Sequence, residues 1–135
     1  MNRREMLTGV AATSLVATTM ATSAHAVAYL PGLVKQRLAA GETVLLAYHA
    51  QWCSTCAAQE RVLDRLKAAN PAYEQGITFV EADWDQHGRL DLARELRIPR
   101  RSTLVLLRGD QELGRLVADT REDAIRNLLD SALIS

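Results

Sequence analysis

At 135 residues, with 48% apolar side chains, the chain is long enough to bury a real core in one domain and too short for two. Its 16 Lys+Arg balance 16 Asp+Glu, which leaves no basic surface of the kind nucleic acid requires. Two cysteines are too few for a disulfide scaffold, so whatever chemistry they carry is local.

The first 26 residues read as an export signal. Arg3 and Arg4 form a short basic start, residues 7–21 are mildly apolar and rich in Ala and Thr, and Ala24-His25-Ala26 is a small-x-small cleavage site. The paired arginines ahead of Leu7 resemble a twin-arginine signal. The threonines and serines dilute this segment too far for a retained membrane anchor. The expected division is therefore residues 1–26 as signal and 27–135 as the mature domain, near neutral and placed in the periplasm.

An amphipathic helix is expected over 31–40, with Pro31 in its first turn and Gly41 ending it. The apolar run 43–49 reads as a buried strand. Residues 55–69 form the next helix, with Cys56, Gln59, Val62, Leu63 and Leu66 on one face and Asn70-Pro71 closing it. Residues 77–82 alternate as a second strand, and 88–96 carry Leu90, Leu92, Ala93 and Leu96 at helical intervals. A third strand over 102–107 leads through Arg108-Gly109-Asp110 into a hairpin partner at 112–118, and Thr120 is the expected N-cap of a closing helix, 121–133. The first two strands should be parallel and the last two antiparallel, giving an α/β fold with a mixed sheet of about four strands flanked by helices.

Both cysteines lie where the first strand hands over to its helix. Cys53 falls at a helix N-terminus, where free backbone N–H groups and the helix dipole favour a thiolate. Cys56, one turn on, is placed to attack a mixed disulfide formed at Cys53. On this reading Cys53 is the attacking thiol, the more exposed and the more acidic of the two.

With Trp52-Cys53-Ser54-Thr55-Cys56 at the end of the first central strand, and the strand and turn from Thr103 to Asp110, this element order resembles the thioredoxin family over essentially the whole mature chain. The resemblance implies a thioredoxin-like fold and a reversible Cys53-Cys56 disulfide. It implies Trp52 as a cover for that disulfide, and Arg101, Ser102 and Thr103 as the loop that meets substrate. Protein thiols and disulfides would be the substrates, with no added cofactor and a monomer as the working form. A reductase of this kind in an oxidising compartment needs a dedicated periplasmic or membrane electron donor.

Three positions depart from the family pattern. The buried acid usually found six residues before the first cysteine is Ala47, and the kink proline five residues after the second is Arg61. Glu60 matches a glutamate of the C-terminal thioredoxin-like domain of bacterial membrane thiol:disulfide reductases, which suggests it as the substitute proton acceptor. The cis-proline expected directly before Thr103 is Ser102, so the bond before it should be trans, since a cis bond there costs about 2.5 to 4 kcal/mol. A loop without proline is expected to be less constrained, and restoring proline at 102 to favour general disulfide reduction.

His49, on an apolar strand, reads as a packed core residue, and His87 as a solvated turn residue. A closed zinc site needs four N or S ligands, and beyond the cysteines the mature chain offers only these two histidines. The favoured function is an exported thiol:disulfide oxidoreductase. The alternative is a redox-linked metal carrier that uses the same cysteines.

Overall fold

The computed structural model describes residues 26–134, so the expected export signal, Ala26 apart, lies outside the described residues. Three strands form the spine of the sheet: β2 (Thr43–His49), β3 (Thr78–Asp83) and β4 (Thr103–Arg108). A two-residue strand β1 (Val27–Ala28) edges β3, and β5 (Gln111–Val117) edges β4, giving the order β1-β3-β2-β4-β5. As expected, β2 and β3 are parallel and the last two strands form an antiparallel hairpin. The sheet has five strands rather than about four, because β1 is too short to leave a pattern in the sequence.

Side chains alternate across the sheet and build a core on each face. Leu45, Leu104 and Leu106 face α2 (Ser54–Ala69) and α6 (Glu122–Leu133), where they meet Val62, Leu66, Ile125 and Leu129. Val44, Leu46, Tyr48, Val105 and Leu107 face the other way, against Val34 of α1 (Leu33–Ala39) and Leu92 of α5 (Asp91–Glu95). Residues of β2 and β4 are thus buried on both faces, which is why both strands read as continuous apolar runs. Each fully buried Leu contributes about 1.5 to 3 kcal/mol.

Some boundaries differ from the sequence expectation for local reasons. The helix expected at 88–96 is shorter, α5 running only from Asp91 to Glu95, and a separate helix that the pattern did not show, α4 (Trp84–His87), precedes it. α4 starts where Asp83 Oδ1 accepts the Asp85 N–H. It stops at Gly88, whose Cα packs so tightly on Trp84 that a Cβ would lie 2.4 Å from the indole ring. A further short helix, α3 (Ala72–Gly76), follows Pro71, with Asn70 Oδ1 accepting the Ala72 N–H. Thr120 does not cap α6. The N-cap position is Arg121, and the Asp119 carboxylate accepts the Arg121 N–H instead. Gly41 ends α1 at φ +87°, a conformation that costs glycine little. Among the described residues no helix is long and apolar enough to cross a membrane.

Candidate functional site

The site lies where β2 ends and α2 begins. Cys53 is the N-cap residue of α2, and its Sγ accepts the Cys56 N–H at 3.2 Å, the role a Ser or Asp oxygen plays at an ordinary helix start. Sulfur in that position satisfies an orphan amide and sits at the positive end of the helix dipole, both of which favour its anion. Both cysteines are free thiols in this structure and both are buried, Cys53 at 4% and Cys56 at 2% exposure. Cys53 is the more exposed of the two, as expected, but by a narrow margin, because Ala50 and Trp84 pack around the pair.

The two thiols differ more in acidity. Burial pushes Cys53 up, but hydrogen bonds from the Cys56 thiol, the Ser102 hydroxyl and the Cys56 amide, together with the nearby Arg101 guanidinium, outweigh it and bring Cys53 down to about 6. Burial pushes Cys56 up as well. There the hydrogen bond it gives to Cys53 and the charge on Cys53 add to the rise, and Ser102 offsets only part of it.

Ser102 touches both sulfurs, with Oγ 3.2 Å from Cys53 Sγ and 3.0 Å from Cys56 Sγ. Its preceding peptide bond is trans, as expected, since the described residues contain no cis bond. The expected looseness is absent. Ser102 is fully buried in the left-handed region at φ +61°, where a non-glycine residue is held only by its surroundings. Its N–H donates to Tyr48 O at 2.8 Å, while its carbonyl accepts from Ala118 N at 2.8 Å and from Gln59 Nε2 at 2.9 Å. These bonds tie the loop to β2, to α2 and to the end of β5. They also occupy both backbone groups of Ser102, so neither is free to pair with an extended substrate.

The other expected residues fall at different depths. Thr103 is fully buried, its hydroxyl donating to Arg100 O at 2.7 Å, so its side chain does not meet substrate. Arg101 lies over Trp52, its guanidinium carbon 4.3 Å from the ring centre, a cation–π contact. Trp52 is 61% exposed and anchored by Nε1 donating to Asp85 Oδ2 at 2.9 Å. The indole and the guanidinium thus form the outer surface beside Cys53. Glu60, one turn beyond Cys56, points to His49, with Oε2 3.5 Å from Nε2.

Sequence reading missed the surroundings of His49. It is not a plain core residue, because Glu81 Oε1 stands 3.1 Å from its Nδ1 on the side opposite Glu60. Period-two counting along β2 puts His49 on the α2 face with Leu45 and Ala47, and four-residue counting puts Glu60 beside Cys56, so that half of the cluster was accessible from the pattern. Glu81 was not, because it depends on the parallel register that sets Ala47 opposite Glu81. A cavity of about 160 Å³ opens between β2 and α2 where Ala47 leaves room, and Cys56, His49, Glu60 and Glu81 all border it. Among the described residues no group of three or more His, Cys, Asp or Glu is arranged to hold a metal ion.

Comparison with known proteins places this geometry. The family model for thioredoxin matches residues 30–131. Thioredoxin H2-1 of Oryza sativa subsp. japonica is 29% identical over 92 residues, which are 66% of this chain, and the chain spans 62% of that protein's length. Among solved structures, Trxlp from Edwardsiella tarda superposes with a TM-score of 0.68 at 28% identity, over 78% of this chain and 98% of the other. Oxidized mitochondrial thioredoxin 3 from Saccharomyces cerevisiae gives 0.64 at 20% identity, over 78% and 93%, a likeness of fold.

Proposed function

This chain belongs to the thioredoxin family, and on that premise we propose that it is an exported thiol:disulfide oxidoreductase acting on protein disulfides through Cys53 and Cys56. One observation carries the reading: Cys53 Sγ caps α2, with the Ser102 hydroxyl beside it, and is held near the thiolate at neutral pH. The Cys53 thiolate attacks a substrate disulfide, forming a Cys53–substrate bond and releasing one substrate sulfur as thiolate. Cys56 then loses its proton and attacks Cys53 Sγ. The Cys53-Cys56 bond forms, the second substrate sulfur leaves, and two electrons have passed to the substrate.

On this reading the working unit is a monomer, as the thioredoxin resemblance implies. The Trp52 and Arg101 surface is where substrate docks, in place of the Ser102 backbone. Export rests on Arg3-Arg4 and on the Ala24-His25-Ala26 boundary, and in an oxidising compartment the pair is recharged by a dedicated periplasmic or membrane donor. Cys56→Ser should trap mixed disulfides with substrate proteins, and Cys53→Ser should trap none. The reverse pattern, or no trapping by either, sinks the assignment. Replacing Arg3 and Arg4 by lysines tests the route, because loss of export supports the twin-arginine pathway and normal export the general one.

A further inference from the structure

We propose that His49 is the proton acceptor for Cys56, acting through the cavity that Ala47 opens beneath α2. This rests on the exchange reading of the two cysteines and names the group that makes its second step possible. Cys56 is held as a neutral thiol, so its proton must leave before its sulfur can attack. Ser102 Oγ, 3.0 Å away, can pass a proton along but is too weak a base to keep it.

The cavity of about 160 Å³ links Cys56 to the one imidazole on its wall. A water in the liquid occupies about 30 Å³ and a buried one needs two to four polar partners, so this space admits several, with the Gln59, Glu60, Glu81 and His49 side chains to bind them. His49 has the surroundings of a base. Glu81 Oε1 stands 3.1 Å from Nδ1, and a carboxylate there favours the proton on that nitrogen and leaves Nε2 as the one to accept. Nε2 lies 3.5 Å from Glu60 Oε2, and Glu60, 53% exposed, compensates the imidazolium and opens the way to solvent.

Other charged groups border the same space. On α2, Asp64 and Lys67 lie further along the inner wall. On β3, Asp83 is in register with His49, and His87 of α4 borders the outer cleft that His49 shares. None of these lies between Cys56 and His49 along α2 and β2, where Glu60 and Glu81 are the partners in reach.

The step balances as follows. The Cys56 S–H bond breaks and its proton passes through the cavity to His49 Nε2. The freed sulfur electron pair forms the Cys56–Cys53 bond, and the Cys53–substrate bond breaks, its electron pair leaving on the substrate thiolate. His49 then returns its proton to solvent past Glu60.

The reduced protein mixed with an aromatic disulfide of the Ellman type separates the two steps, because each releases one coloured thiolate. We expect His49→Gln to leave the first release unchanged, to slow the second about tenfold to a hundredfold, and to flatten the pH profile of the second alone. Glu81→Gln, which loses the orienting carboxylate, should slow the second release less. Free imidazole should restore part of the second rate in His49→Ala. A second release with wild-type rate and pH profile in His49→Gln overturns the inference, as does equal slowing of both releases, which marks a purely structural role. If the wild-type protein releases only one thiolate, the exchange reading itself fails and takes this inference with it.

Discussion

The Ser102 hydroxyl oxygen stands 3.2 Å from Cys53 Sγ, close enough to donate to a thiolate. A hydrogen bond to a charged group contributes about 1.5 to 3 kcal/mol, so Ser102→Ala should raise the acidity midpoint of Cys53 by roughly one to two pH units. The rate of iodoacetamide alkylation against pH reads this directly. The wild-type midpoint should fall at about 6 and the variant's above it. Coincident profiles would mean that the helix amide and Arg101 hold the thiolate without help.

The same acidity makes stability depend on pH. Cys53 is lowered in the folded chain from an ordinary value of 9.0 to about 6, so between these limits the unfolded chain binds more protons and the reduced protein gains stability as pH rises. That gain is complete above the unfolded value and is lost as pH falls through about 6. Cys56 works in the opposite sense, since its folded value is raised, and takes stability away above the ordinary value of 9.0. The thermal midpoint of the reduced protein should therefore climb with pH across this window relative to that of Cys53→Ala. Parallel curves would contradict the assignment of the thiolate to Cys53.

Proline at position 102 should break the loop rather than restore a general reductase. Its ring fixes φ near −65° and removes the N–H, whereas Ser102 sits at φ +61° and donates to Tyr48 O. Ser102→Pro should lower the unfolding free energy by about 3 kcal/mol or more. Ser102→Gly, which loses the same hydroxyl but is free to adopt positive φ and keeps the N–H, should lose clearly less. Urea unfolding of the reduced proteins distinguishes the two. A proline variant as stable as wild type would show that the loop has a second, equally good conformation.

Sequence pattern revealed the architecture wherever an element packs by periodicity. The burial of β2 on both faces, the apolar stripe of α2 and the hairpin at Gly109 were all legible in the order of residues. What the pattern could not supply depends on contacts between distant segments. The edge strand β1 exists only because β3 offers it a partner, and the break between α4 and α5 follows from Gly88 meeting Trp84. At the site, the cysteines and Ser102 were visible as spacing and as an unusual residue. The conformation of Ser102 was not, because three hydrogen bonds from three different elements impose it on a residue with no preference of its own. His49 was misread for a related reason: an apolar strand hides the carboxylates that reach it from a helix and from a neighbouring strand.

The two edges of the sheet bear on how the protein behaves at high concentration. A formal net charge of zero gives copies of this chain little long-range repulsion, so resistance to sticking must come from the surface itself. Unpaired strand edges are the usual templates for such association. On one side the outermost strand is only two residues long. On the other, β5 carries Glu112 and Arg115, and its ladder with β4 is interrupted between Leu106 and Leu107. Neither margin offers the long, flat, uncharged ladder on which a second molecule could extend the sheet, so what guards against edge-to-edge pairing lies in the edges themselves rather than in net charge.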